Sequence, residues 1–517
     1  MQPNGRKIAI VGGGIAGLCA AVYAQESGYQ AEVFEMHDMA GGLATNWRRG
    51  DYTFETCMHW LWGSNPAAPM HRQWLEVCDL DRLQFVTGDR FATVENGSGE
   101  MLNIFTDCDR LEAELLSCAP HDAAAIRRLT AAIRSLGQFR LPGPYAGWAA
   151  NVRAMLGNIP RMPLLRKLIQ ISAHEYGKQF SDPLVRSFFG EGDMAQISAL
   201  AILFSLAWMN QDDARYPIGG SQALIRLIEE RLASLGGRVH FGAKVERILV
   251  DRDAAVGVRL ANGDTFPGDW VISAADGHST IYELLGGNYT SRKIDQVYSS
   301  RETFPSYLQV SLGVGLDLSH EPAQVTRLLE EPFTVDPGTE LKQVSFRFFH
   351  FDPTFAPKGK TAVTCFLPTR NFSYWVSLHR DKPAIYYAEK HRIAEQVMAI
   401  LEKRTPGLRS AVEVTDVSSP ASVIRYTGNW KGSMEGWWIA PGSGFRPLPN
   451  TLPGLRRFMM VGQWVLPGGG LPSGPMTARP AIQAICNADH VPFTPGLPAS
   501  PAGVAPPVAH LPGATGA

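Results

Sequence analysis

The stretch KIAIVGGGIAGL, residues 7–18, reads as a buried strand, a glycine turn and the start of a helix. The helix continues to Gly28, and AEVFE, residues 31–35, supplies a second strand ending on an acid. This is half of a doubly wound α/β unit. In the spacing Gly12-x-Gly14-x-x-Gly17 the first glycine permits a tight turn, the second lets a diphosphate approach the backbone, and the third lets helix pack on strand. The first helical turn, with Ile15 and Ala16, then offers free N–H groups and a partial positive charge. Glu35 stands about 20 residues on, where a carboxylate accepts hydrogen bonds from ribose hydroxyls. A glycine triplet alone is a weak signal. With strand, helix and acid all in place it marks a dinucleotide site.

Bulk properties narrow the class. At 517 residues the chain exceeds one ordinary core, so two intertwined domains are expected. Apolar residues at 45 % and charged residues at 19 % describe a soluble globular protein. A formal charge of −1 gives no drive toward nucleic acid, and none is expected as a partner. Seven scattered cysteines without a CxxC pair suggest neither a disulfide framework nor a metal site, and favour a reducing compartment. The first strand begins almost at the start of the sequence, and the longest uncharged apolar run, 194–210, is shorter than the roughly 20 residues that span a bilayer. The expected location is the cytoplasm.

Further along, Glu76 to Arg140 is expected to be largely helical, with Asp107, Asp109 and Asp122 near helix starts. Prolines 142, 144, 160 and 163 forbid one regular helix over 139–163. Pro217-Ile-Gly-Gly-Ser221 opens a helix with Leu224, Leu227, Ile228 and Leu232 on one face. Three short strands and a buried strand near 269–275 follow it. Alternating runs over 306–378 suggest an antiparallel sheet, followed by a helix near 388–403. A last strand at 458–462, a last helix at 478–488 and a Pro/Ala/Gly tail close the chain; the tail is expected to be disordered.

Later motifs carry a family resemblance. Met39-Ala-Gly41-Gly42-Leu43-Ala-Thr45 resembles the second glycine motif of the amine oxidase and phytoene desaturase superfamily of flavoproteins, which wraps the FAD pyrophosphate. Tyr216 to Ser221 with Lys244 to Ile248 resembles the family's central FAD segment; there the backbone of Val245 would meet the adenine, and 272–276, including Ala275, closes the sheet. Residues 425–433 resemble the stretch beside the flavin ring. Val461-Gly462-Gln463 to Gly470-Leu471-Pro472 resembles the terminal flavin motif. The chain departs from the family at Leu43, where a basic residue is usual, and at Gln463, where an acid is usual; an amide still bonds ribityl hydroxyls. The resemblance covers residues 7–490 in order, and its PGGGLPSG form points to the branch of phytoene desaturases, carotenoid isomerases and retinol saturases.

The resemblance implies non-covalent FAD and a Rossmann-like FAD/NAD(P)-binding domain of the glutathione-reductase type, with an intertwined α+β substrate domain. The expected boundaries are 1–75, 215–290 and 423–490 for FAD binding, 76–214 and 291–422 for substrate, and 491–517 for the tail. Flavin accepts a hydride at N5 and asks the protein mainly for orientation and electrostatics. His59, Glu435 and Lys431 are the candidate catalytic groups. Ala123 to His174 holds eight Arg/Lys and no acid, interleaved with apolar residues; this pattern resembles a patch meeting anionic lipid, and a solvated basic face explains it as well. The leading expectation is desaturation, saturation or isomerisation of C–C bonds in a lipophilic, isoprenoid-type substrate, with oxygen or a quinone as acceptor. A flavin amine oxidase is the second reading. A prenyl-binding carrier of the GDP-dissociation-inhibitor type is the third.

Overall fold

The computed structural model describes residues 5–140, 147–443, 446–496 and the backbone of 509–510. Two sheets position the site. Their strands in chain order are β1 (Lys7–Val11), β2 (Gln30–Phe34), β3 (Arg90–Glu95), β4 (Met101–Phe105), β5 (Arg238–His240), β6 (Trp270–Ser273), β7 (Ser306–Val314), β8 (Gln324–Asp336), β9 (Thr339–Phe348), β10 (Thr361–Thr369), β11 (Val412–Ser418) and β12 (Phe458–Met460). The helices that matter are α1 (Ile15–Glu26), α2 (Trp148–Asn158), α3 (Met162–Gln170), α4 (Ala199–Asn210), α5 (Gly220–Ser234) and α6 (Ser473–Asp489).

The first sheet is parallel, in the order β5-β2-β1-β6-β12, so three distant stretches of chain meet side by side. Central β1 is apolar on both faces because both are covered: Ile8 and Ile10 join one core cluster, Ala9 and Val11 another. α1 and α6 pack on the Ile8 side, through Leu18, Val22, Ala478 and Ile482.

The second sheet runs β11-β7-β10-β9-β8-β3-β4. It is antiparallel except where β8 meets β3. Here the expectation of a largely helical 76–140 is corrected. RFATVE and MLNIF form the hairpin β3–β4, and only Cys108–Cys118 and Ala123–Gly137 are α-helices of any length. The strands alternate in two-residue steps, and Val94, Leu102 and Ile104 turn inward to pack on the helix that follows. Asp107 caps that helix, accepting from the N–H groups of Asp109 and Arg110. Asp122 instead binds Ser181 and Asp182.

The tail expectation is corrected in part. Residues 491–496 pack on the fold: Phe493 meets Tyr23 with ring centroids 6.0 Å apart, and the Gly496 N–H donates to Glu26 (2.6 Å). Two apolar side chains, Val491 and Phe493, suffice to seat an otherwise proline-rich segment. Residues 509–510 pair in parallel with Val86 and Thr87; the rest of the tail beyond 496 lies outside the described residues.

Candidate active site

The two glycine motifs lie against each other. Gly14 bridges to Gly41, and the Gly41 N–H donates to the Gly13 carbonyl (3.0 Å). Gly17 is dictated by contact, since a Cβ there would stand 2.0 Å from the Gly12 carbonyl oxygen. No side chain caps α1 and no acid lies in its first turn, so the N–H groups of Ile15, Ala16 and Gly17 are left for an anion. Gly14 differs from Gly17: its φ of −68° is ordinary, and the nearest atom to a Cβ would be Gly41 O at 3.8 Å. The room kept in front of the helix is the cradle a diphosphate requires.

Glu35 ends β2 with its carboxylate held by the N–H groups of Gly13 (2.7 Å) and His37 (2.9 Å). Its carbonyl accepts from Ala243 (2.8 Å), which brings buried Val245 to the same edge of the sheet. Across the loop, Ala275 packs its backbone against Gly12. From the other end of the chain, a Cβ on Gly462 would stand 3.1 Å from Ala16, and one on Gly474 would stand 3.2 Å from Ile15. The Gly462 N–H is anchored to Thr477 (2.7 Å). Gln463 donates to Asn429 (3.2 Å), leaving its carbonyl oxygen to accept. The Gln222 amide braces the second glycine motif through Ala40 O (3.2 Å) and Thr45 Oγ1 (3.4 Å). The two glycine motifs, Glu35, Ala275, Gly462 and Gly474 thus lie around the start of α1.

Beside them is a cavity of about 1830 Å³. Leu43, Gly470, Leu471 and Pro472 form one end of it. An aromatic ladder leads away: Trp62 stacks on Trp208 (4.7 Å), Trp208 on Phe204 (5.6 Å), and Phe204 meets Phe139 (6.0 Å). Helix α4 is apolar all round because both its sides meet apolar surroundings: Leu203 and Leu206 enter the core, while Ile202, Phe204 and Trp208 line the cavity.

Two of the three candidate catalytic groups share this cavity. Glu435 lines it, with its backbone pressed against Gly469 and no hydrogen-bond partner for its carboxyl among the described residues; burial raises its pKa to about 7. His59 also lines it, open to the cavity space, and the enclosing walls, then the nearby Arg347 guanidinium, lower its pKa. Lys431 is not with them. Its ammonium lies 4.2 Å over the Trp430 ring and is not among the residues lining the cavity. The φ of 58° at Lys431 turns the chain between the two side chains, so neighbours in sequence face different ways. Burial, then Arg370, lowers its pKa.

No motif in the sequence singles out Glu55. Its buried carboxylate accepts from the N–H groups of Cys57 (2.8 Å) and Ser221 (2.7 Å) and from the Ser221 hydroxyl (2.9 Å), while its carbonyl accepts from Gln309 (3.0 Å). It thus ties the turn carrying Cys57 and His59 to α5 and to β7. Burial raises its pKa. Cys57 faces the cavity, but burial and the Glu55 charge push its thiol up, so it is a poor nucleophile toward a flavin.

The cavity's rim includes Arg140, Met162 and Arg166. Beside it, α2 and the turn into α3 face outward: Trp148 is 82 % exposed, Met155 61 %, Leu156 60 % and Ile159 59 %. An amphipathic helix ordinarily buries such a stripe. Arg153, Arg166 and Lys167 are exposed on the same segment. Among the described residues no helix is long and apolar enough to cross a membrane.

Known proteins resemble this chain in sequence and in fold. The profile of the flavin containing amine oxidoreductase family matches residues 15–403. A phytoene desaturase (neurosporene-forming) of Rhodobacter capsulatus is 25 % identical over 444 residues, covering 80 % of each chain. A chloroplastic prolycopene isomerase of Arabidopsis thaliana is 25 % identical over 448 residues, 82 % of this chain and 73 % of that protein. Among solved structures, putrescine oxidase bound to putrescine superposes with a TM-score of 0.60 at 17 % identity, over 93 % of this chain and 99 % of that one. An oxidoreductase from Methanosarcina mazei gives a TM-score of 0.58 at 16 % identity, over 92 % and 100 %.

Proposed function

The chain belongs to the flavin containing amine oxidoreductase family, and on that premise we propose that it removes or rearranges hydrogens on C–C bonds of a lipophilic, isoprenoid-type substrate, most simply by desaturation. It is an FAD-dependent oxidoreductase, which sets the carrier reading aside. The observation that carries the proposal is the cavity: about 1830 Å³, walled by an aromatic ladder, and lined both by Leu43 with Gly470 to Pro472 and by Arg140, Met162 and Arg166 beside the outward-facing segment. Ligand pockets usually measure ~300–1,000 Å³; the flavin takes the part walled by Leu43 and Gly470 to Pro472, and the aromatic-lined remainder suits a hydrocarbon.

In this reading Gly12, Gly14, Gly17 and Gly41 to Thr45 hold the FAD diphosphate, Glu35 and Val245 the adenosine, and Gly462, Gln463 and Gly470 to Pro472 the flavin side. Bound there, FAD supplies the hydride acceptor. Glu435 takes the proton left on the neighbouring carbon at a carboxylate oxygen, and returns it when the reaction runs toward saturation or isomerisation. A pKa of about 7 suits a group that must both hold and release a proton near neutral pH. Neutral His59 and the ladder exclude water and keep the substrate extended.

The exposed stripe of α2, with Arg153, Arg166 and Lys167 beside it, docks on anionic lipid, so that the substrate passes from bilayer to cavity without crossing water. Oxygen or a quinone reoxidises the flavin. One observation favours the second reading, a hydrophobic amine: the Glu435 carboxylate would neutralise an ammonium. Anaerobic mixing of the holoenzyme with polyenes and with amines separates the two. Bleaching of the flavin by polyenes is expected; bleaching by amines alone would overturn the proposal.

A further inference from the structure

The wall formed by β8 and β9 brings polar side chains to the cavity that the aromatic ladder lines. Along β9, Gln343, Ser345 and Arg347 alternate with Val344, Phe346 and Phe348, and the latter three enter the core. On β8, Gln324 lies opposite Arg347 and Thr326 opposite Ser345. Gln324, Gln343 and Ser345 line the cavity that the ladder lines. Gln324 also reaches a second pocket of about 80 Å³ behind His59, which Arg347 lines. The Arg347 guanidinium is engaged with the carbonyls of Met58 (2.5 Å) and His59 (3.0 Å), and Ser345 shares a hydrogen bond with Thr326 (3.0 Å). Among the described residues, neither the Gln324 nor the Gln343 amide hydrogen-bonds to the protein.

Amides left without partners are a penalty once a hydrocarbon displaces the water around them. We propose that the lipophilic substrate is oxygenated at its inner end, with a hydroxyl or carbonyl received by the amides of Gln324 and Gln343 and the hydroxyl of Ser345. This rests on the reading of the cavity as the site of a lipophilic substrate, and adds what that substrate carries. The strip spans five residues of β9, four steps or about 13 Å. Glu191, at one end of the strip, is paired with Lys342 (2.9 Å), and the Arg347 guanidinium at the other end is turned onto the carbonyls of Met58 and His59; the amides and hydroxyl between them suit a neutral group.

The test titrates the holoenzyme with geranylgeraniol, the matching hydrocarbon with methyl in place of the alcohol carbon, and geranylgeranoic acid, read by quenching of tryptophan fluorescence through Trp62 and Trp208. The alcohol should bind at least tenfold more tightly than the hydrocarbon. A Gln324→Leu/Gln343→Leu variant should abolish that preference, binding the alcohol more weakly and the hydrocarbon more tightly, with the flavin spectrum unchanged. Equal binding of alcohol and hydrocarbon, persistence of the preference in the variant, or tightest binding by the acid overturns the proposal alone. Binding of none of the three overturns the lipophilic reading and the proposal with it.

Discussion

Replacing Glu435 by Gln should make the protein more stable and less active, and the stability gain should grow with pH. The carboxyl titrates near 4.5 when exposed and near 7 in the fold, because burial disfavours its charge and no hydrogen bond offsets it. A carboxyl with a raised folded pKa binds its proton more tightly in the native state, so stability is full below the unfolded pKa and falls as pH rises toward the folded one. Linkage over that window gives a loss of about 1 kcal/mol at pH 5, about 2 kcal/mol at pH 6 and about 3 kcal/mol at pH 8. Glutamine keeps the shape and carries no charge, so E435Q should escape this loss. The assay is urea unfolding of both holoproteins across this pH range, with the difference in unfolding free energy plotted against pH. Turnover of the wild type should rise through a midpoint near 7 as the carboxylate forms, and E435Q should lose at least ~100-fold in kcat at every pH. A stability difference flat in pH would refute the burial argument. A pH-independent kcat retained by E435Q would refute the proton-transfer role.

Three further outcomes follow from the geometry. Gly14→Leu should fold normally, because its Cβ meets nothing closer than 3.8 Å, but should lose at least ~100-fold in FAD affinity by flavin titration of the apoprotein, since the side chain stands where the diphosphate belongs. Replacing Met155, Leu156 and Ile159 by Glu should abolish sedimentation with anionic liposomes while leaving the flavin spectrum intact; charge reversal at Arg153 and Lys167 should weaken sedimentation chiefly at low salt. Glu55→Ala removes the acceptor shared by Cys57 and Ser221, and should cost more than about 3 kcal/mol in unfolding free energy.

Some of this was legible along the chain because it is local. A strand, three glycines and an acid within residues 7–35 specify a diphosphate cradle by hydrogen-bond geometry that spans few residues, and the later flavin motifs are likewise short. The hairpin β3–β4 was missed because its alternation is brief and is realised only when β8, far along the chain, pairs with it. Glu55 was missed for the same reason: its partner Ser221 is 166 residues distant. Lys431 and Glu435 looked equivalent in sequence, yet a left-handed turn sends one over Trp430 and the other into the cavity.

Sequence by itself therefore determined the cofactor cradle and the class of fold, since both depend on backbone conformation and contacts between near neighbours. Only the tertiary structure decided which acid lines the cavity, how large that cavity is, and that its β8–β9 wall is polar. Burial and desolvation arise when distant segments exclude water together, and no stretch of chain carries that information alone.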